Sequence, residues 1–370
     1  MLSQLNELAM GDNRCALCGA RSRLISSALE VCLECVRRNP QNALSRTQHA
    51  HSRSRDAFNL PVAPPHSEDG IACGLCSRQC NIPEGERGFC GLRYNQAGRL
   101  VHLAGTPKRG LLHWYRDPLP TNCVADWVCP GHTRYGDHNL AIFYASCTLN
   151  CLFCQNWHFR QADPHLDSQG SVEVMSAEAL TACANEHTYC VCFFGGDPAS
   201  QMPHALAAGK TLANRGVRVC WETAGTMHPK FMQAAVDLSL RSGGCIKFDL
   251  KAYDPTLHRV LTGASNKRTL ENFSLAASRI PTMPSTPLVV ASTLLVPGYV
   301  DVEEVSSIAN FIARINPDIP YALLAFHPDF FMRDLPYTSM QHAHEALNVA
   351  KQAGLRNVRL GNVHLLSHDY

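Results

Sequence analysis

From Leu140 onward, apolar runs of strand length alternate with longer amphipathic runs of helix length, and this alternation leaves few folds open. Strands are expected at Leu140–Ala145 (LAIFYA), Tyr189–Phe194, Val217–Trp221, Ile246–Leu250, Leu288–Val296 and Tyr321–Phe326. Helices are expected at Ser200–Asn214, Pro229–Leu240, Thr269–Ser278, Val302–Ile315 and Met340–Ala353, with a short last strand at Asn357–Leu360. Such alternation predicts an α/β domain with a parallel sheet and right-handed crossovers. Six main strand–helix units fit a partial barrel better than a closed eightfold one. In these folds sites form beyond the C-terminal ends of the strands. Apolar residues make up 45% of the chain and charged ones only 17%, which suits a deeply buried sheet.

Directly after the first of these strands comes SCTLNCLFCQNWHFR, with Cys147, Cys151 and Cys154 spaced by three and then two residues. Closely spaced thiolates are soft ligands that select iron–sulfur clusters, zinc or Cu(I). Three ligands leave one metal position open, unless Cys123 or Cys129 closes the shell. Two further groups lie upstream. Cys15, Cys18, Cys32 and Cys35 form two CxxC knuckles, the pattern of a zinc ribbon, with a [4Fe-4S] cluster as the alternative. Cys73, Cys76, Cys80 and Cys90 offer a second complete set of four, for zinc or a second cluster, in a structural or electron-relay role.

The 18 cysteines fall in such groups, and Met1 to Asn13 lacks the pattern of a signal peptide, so a reducing, cytoplasmic compartment is expected. The longest apolar run, Leu288–Val296, is too short to span a bilayer. A formal net charge of +2 gives no electrostatic case for nucleic acid. The expected organisation is a zinc-ribbon-like module at 1–38, a linker at 39–70, a second cysteine-rich module at 71–110, a long aromatic and cysteine-bearing loop at 111–138, and the barrel at 139–370. The linker reading rests on a polar stretch with His49, His51, Arg53, Arg55, Pro61, Pro64 and Pro65 and no visible periodicity. The long loop reads as a lid or a packed surface loop.

CxxxCxxC after the first strand of such an alternation resembles the signature of the radical SAM superfamily. The stretch from Cys73 to Gly98 resembles the N-terminal cysteine module of AmmeMemoRadiSam-type radical SAM proteins and of relatives of the pyruvate formate-lyase activating enzyme. The resemblance spans residues 73 to 364. It implies a partial (β/α)6 TIM-like barrel carrying N-terminal cysteine-rich metal-binding modules. It also implies a [4Fe-4S] cluster on Cys147, Cys151 and Cys154 whose fourth iron binds S-adenosylmethionine. Other positions follow by the same likeness. Phe153 lies within the cysteine motif. Gly195-Gly196-Asp197-Pro198 resembles the motif that binds the methionine amino group. Glu222-Thr223-Ala224-Gly225 and Asp249-Leu250-Lys251 resemble the D-T-N-G and D-L-K motifs of glycyl-radical-enzyme activases, which surround the SAM carboxylate, partly through a monovalent cation. Glu222 replaces the usual Asp, and Ala224 the usual Asn. Val296-Pro297-Gly298 resembles the activases' V-P-G turn, and His327 stands where they carry a SAM-contacting His. Gly361-Asn362 resembles a C-terminal stretch of the AmmeMemoRadiSam-type enzymes.

The implied activity is one-electron reductive cleavage of SAM to methionine and a 5′-deoxyadenosyl radical, which abstracts hydrogen from a substrate. The implied partners are an electron donor of flavodoxin or ferredoxin type and a protein or peptide substrate, as in glycyl-radical activation. Two alternatives stay open: chemistry on a small molecule in a closed barrel, and a non-enzymatic zinc/iron–sulfur scaffold.

Overall fold

The structure is a computed structural model that describes residues 12–121, 123–160, 172–282 and 286–370. The reading of Met1 to Asn13 therefore falls, but for its last two residues, outside the described residues.

Before the main sheet come small elements that metal-sized modules require. These are a hairpin of β1 (Asn13–Arg14) and β2 (Arg21–Ser22), helices α1 (Leu33–Arg38) and α2 (Pro40–Asp56), a second pair β3 (Ile71–Ala72) and β4 (Asn81–Ile82), and a third pair β5 (Arg93–Gln96) and β6 (Arg99–His102). The long helix α2 stands where a linker was expected. Its inward residues Ala43, Thr47, Ala50, His51, Ser54 and Arg55 recur at helical spacing. They are small or polar, so the stripe carries almost no hydrophobic signal. Pro40 occupies the first turn, where its missing N–H costs nothing.

Among the described residues the main sheet has nine strands. Strand β7 (Gly110–Pro118) runs antiparallel to β8 (His138–Tyr144), and β9 (Glu173–Met175) antiparallel to β7. Strands β8, β10 (Thr188–Gly195), β11 (Arg218–Thr223), β12 (Ile246–Asp249), β13 (Val289–Leu295), β14 (Tyr321–Ala325) and β15 (Val358–Gly361) follow in spatial sequence, all parallel. The six expected units and the short last strand are all present. The first part of the expected 111–138 loop is instead β7, whose nine residues pair with β8 as an antiparallel flank. Its apolar and polar residues do not alternate cleanly, because both of its faces are partly covered.

Helices α3 (Ala177–Ala182), α4 (Met202–Asn214), α5 (Pro229–Ser242), α6 (Pro255–Thr262), α7 (Lys267–Ala277), α8 (Val302–Ile315) and α9 (Met340–Gln352) make the crossovers. Their ends follow local chemistry. Asp254, Asp301 and Ser339 cap α6, α8 and α9 through side-chain acceptors, and Gly243 and Gly263 end α5 and α6 in the left-handed conformation. Residues of one sheet face, among them Val191, Phe193, Val219, Trp221, Ile246 and Phe248, are buried in the main core. The opposite face carries the polar and cysteine residues discussed below.

Candidate active site

The cysteine loop leaves β8 through a backbone reversal. Ser146 has φ +74°, its N–H donates to Phe159 O at 2.6 Å, and its hydroxyl donates to Cys90 O at 2.6 Å. Gly196 fixes the other side of this turn. Its N–H donates to Tyr144 O at 2.9 Å, and a Cβ there would lie 1.9 Å from Ser146 O and 2.6 Å from Tyr144 O. Gly196 thus lacks a side chain because the cysteine loop's own backbone occupies the space. Gly196→Ala should displace that backbone. We expect a cluster content below half of wild type after identical anaerobic reconstitution, read as iron per chain; wild-type iron content would refute it.

The loop is then pinned from three directions. Asn150 N–H and Leu152 N–H donate to Thr262 O and Leu261 O at the end of α6, at 2.9 and 3.1 Å. Ser54 and His51 of α2 hold the Asn150 amide. Arg78, from the second cysteine module, donates to Thr148 O at 2.6 Å and Gly263 O at 2.7 Å. Its guanidinium also lies over the Phe89 ring at 3.9 Å. The supposed linker and the second module are therefore buttresses of the site, neither of them remote from it.

Across from the cysteines, Asp197 ties two strand ends together. Its buried carboxylate accepts from Ala199 N–H (2.7 Å), Thr223 Oγ1–H (2.9 Å) and Ala224 N–H (2.9 Å). Burial pushes this carboxyl up, against the pull of its three donors. Thr223 Oγ1 in turn accepts from Gly225 N–H at 3.0 Å. Asp197 and Thr223 thus spend their polar atoms on shaping the loops.

Asp249 and Lys251 form an ion pair at the end of β12. Burial opposes the charge on Lys251, yet the neighbouring Asp249 carboxylate and Cys151 thiol hold its pKa above the ordinary range. The Lys251 ammonium also lies 5.5 Å from the centre of the Phe153 ring. The second carboxylate oxygen of Asp249 is buried and has no hydrogen-bond partner among the described residues. A buried acceptor left unpaired costs about 1–3 kcal/mol, so this atom calls for a donor from a ligand.

These parts converge on one cavity. It is lined by Cys147, Cys151, Phe153, Cys154, Gly195, Gly196, Asp197, Glu222, Thr223, Asp249 and Lys251, all predicted site residues. Arg160, Phe194, Leu294 and Leu324 line it too and were missed. The last three are apolar strand-end residues that carry no sequence signal of their own. Arg160 closes the cysteine segment and donates to Asn150 and to Cys151 O. Asn362, in the left-handed conformation, reaches the cavity from beyond β15, consistent with the likeness noted at Gly361-Asn362. His327 is not among the lining residues; its ring meets Tyr337 edge-on at 5.2 Å. Gly298 of the V-P-G turn faces the N-terminal knuckle, where a Cβ would lie 2.1 Å from Leu24 O. Cys123 and Cys129 are not among the lining residues; Cys123 Sγ accepts instead from Lys247 at 3.1 Å.

The geometry suits a cluster with one open metal position. Three thiols share the cavity with a buried cation, an orphaned acceptor and a glycine-lined strand end. Burial pushes the Cys147 and Cys151 thiols up, Cys151 to about 11, so loading a metal there must release protons.

Residues 141–312 match the sequence model of the Radical SAM superfamily. The matched stretch, just under half of the chain, is a Radical SAM domain, and the chain is an enzyme of the radical SAM class. It is similar to the isethionate sulfite-lyase activating enzyme of Oleidesulfovibrio alaskensis, 27% identical over 284 residues, or 73% of this chain and 82% of the relative. An uncharacterized protein of Methanocaldococcus jannaschii is 25% identical over 312 residues, covering 80% and 82%. The pyruvate formate-lyase 1-activating enzyme of Escherichia coli is 27% identical over 134 residues, covering 35% and 52%. No helix among the described residues is long and apolar enough to cross a membrane.

Proposed function

We propose that this chain is an activase-like radical SAM enzyme that modifies a protein or peptide, with formation of a glycyl radical as the leading case. The observation that carries the reading is the convergence of Cys147, Cys151 and Cys154 with Asp249 and its unpaired oxygen in one cavity at the strand ends. Cys147, Cys151 and Cys154 would hold a [4Fe-4S] cluster, and Asp249 and Lys251 would receive the polar groups of S-adenosylmethionine. Together these groups supply reductive SAM cleavage to a 5′-deoxyadenosyl radical when bound. The chain's own part is positional. Asp197 and Gly196 set the spacing between the cysteine loop and the strand ends, Phe153 and Lys251 line the cavity where a cluster would be held, and the apolar Phe194, Leu294 and Leu324 exclude water. Relatives named as activating enzymes support a protein partner, and an electron donor of flavodoxin or ferredoxin type belongs to the same proposal. The test is anaerobic incubation of reduced enzyme with SAM and candidate partners encoded nearby. We expect 5′-deoxyadenosine to form and a carbon-centred EPR signal to appear on a partner polypeptide. 5′-Deoxyadenosine release stimulated only by small molecules would refute the activase reading.

A monovalent cation beside Glu222 and Asp249 belongs to the same proposal. Glu222 pairs with Lys247, 3.2 Å away, and Asp249 with Lys251, so the unpaired second oxygen of Asp249 is the acceptor this proposal assigns to the cation.

We further propose zinc at the N-terminal knuckle. The thiols of Cys15, Cys18, Cys32 and Cys35 all lie within 4.8 Å of one another, with edges of 3.7 Å (Cys15–Cys35) and 3.8 Å (Cys18–Cys32). A Zn–S bond of about 2.3 Å places tetrahedral sulfurs about 3.8 Å apart. The knuckle docks on the barrel: Tyr299 OH accepts from Ser26 N–H (3.0 Å) and donates to Val31 O (2.9 Å), and Arg37 pairs with Asp301. Cys18→Ser should remove one zinc per chain, by elemental analysis, while leaving iron unchanged. Loss of iron with zinc retained would assign a cluster there instead.

A further inference from the structure

A second concentration of thiols lies on the polar face of the sheet, one layer below the cavity. Cys192 of β10 stands in register with Cys220 of β11. Cys245, just before β12, follows in the same row, because its neighbour Ile246 pairs with Trp221. The thiols of Cys245 and Cys220 lie within electrostatic reach of each other. Cys123 descends onto this row from the segment between β7 and β8. Lys247 Nζ lies 3.1 Å from Cys123 Sγ and 3.0 Å from Cys192 Sγ. Cys190 and Cys129 flank the group, each within electrostatic reach of Cys220 and Cys123. Ala125, Val128 and Val290 pack among the thiols, Ala125 N–H and Gly131 N–H donate to Cys123 and Cys129, and Cys190 donates to Asn139 Oδ1.

Ordinary core filler does not explain the lysine. Lys247 is 2% exposed on the inner face of a parallel sheet, where an ammonium is costly without anions. Its one carboxylate partner is Glu222, which lines the cavity above. Its other two partners are the sulfurs of Cys123 and Cys192, and as thiolates on a soft metal these would accept more strongly from the ammonium than neutral thiols do. Among the described residues, the thiols on the sheet, like those of Cys147, Cys151 and Cys154, do not all lie within 4.8 Å of one another as the knuckle's do. A wider shell of cysteine sulfurs suits a polynuclear cluster better than a single tetrahedral ion.

We propose that Cys123, Cys192, Cys220 and Cys245 ligate an iron–sulfur cluster of their own inside the barrel, distinct from the one at Cys147, Cys151 and Cys154. Lys247 donates to two of its ligand sulfurs and links it through Glu222 to the cavity. Cys129 and Cys190 flank the site. The inference does not depend on the substrate.

The test compares full-length wild type, a Cys192→Ser/Cys220→Ser/Cys245→Ser variant and a Cys123→Ser variant, all reconstituted anaerobically. Iron, acid-labile sulfide, zinc and the SAM-dependent EPR change are measured on each. For a cubane, iron and sulfide should each fall by about four per chain in the triple variant. Cys123→Ser should lower the same increment, with zinc and the SAM-responsive signal retained in both. Cys123 lies outside the sheet, so it decides the matter if the triple variant fails to fold. Wild-type iron and sulfide in Cys123→Ser and in a folded triple variant would show that the thiols are packing alone and overturn the proposal. Loss of zinc in place of iron would overturn it equally.

Discussion

Replacing Cys147, Cys151 and Cys154 together by alanine should abolish reductive SAM cleavage to below detection and remove one cluster's iron, while zinc at the knuckle stays. The size of this effect follows from position. These thiols sit in a loop that is anchored through Ser146 to Cys90 and Phe159, and through Asn150 and Leu152 to the end of α6. Their loss removes the ligands and leaves the anchors, so the variant should remain folded. Anaerobic turnover assayed for 5′-deoxyadenosine checks it. Residual product above the level without enzyme would move the open metal position to another cysteine group.

The second large effect should come from Asp197. Its carboxylate satisfies three donors at a site only 4% exposed. Asp197→Ala leaves Ala199 N–H, Ala224 N–H and Thr223 Oγ1–H without that acceptor. Each buried orphan costs about 1–3 kcal/mol, so a loss of at least about 3 kcal/mol in stability is expected. Asp197→Asn should be milder, since its oxygen can keep two donors while its amide faces the N–H of Ala224. Because the same bonds place the Thr223–Gly225 loop at the cavity, SAM affinity should fall at least about tenfold in Asp197→Ala, even at a temperature where the protein is folded. Thermal unfolding and SAM binding measured on both variants check this. Weaker SAM binding with unchanged stability would make Asp197 a direct ligand and no clamp.

The parallel strands were legible because they are buried on both faces and read as continuous apolar runs. The crossover helices α4, α5, α7, α8 and α9 were legible from their periodicity. Helix α6 was missed, although Asp254-Pro255 before Leu257 is a sound start signal, because the helix is short. Helix α2 was missed for a different reason: Thr47, His51 and Ser54 bury polar atoms against the cysteine loop, so its inward face does not look apolar. The cavity's residues were legible wherever a charge or a glycine ended an apolar strand, as at Gly195, Glu222 and Asp249. Their roles were less so. Gly196 looked like a seat for the ligand, but its absent Cβ faces Ser146 O. Lys247 in IKFDL shares a face with Asp249 two residues on, and that alternation was a signal that could have marked the thiol row beneath the cavity.

A cluster on Cys147, Cys151 and Cys154 should keep one metal position open to SAM. The most direct measurement is EPR of the dithionite-reduced, reconstituted protein before and after SAM is added, in wild type and in Asp249→Ala. SAM should change the signal of one cluster in wild type, and the change should need at least about tenfold more SAM in Asp249→Ala, where the unpaired acceptor is gone. A wild-type spectrum unaltered by saturating SAM, with iron and sulfide fully loaded, would contradict it.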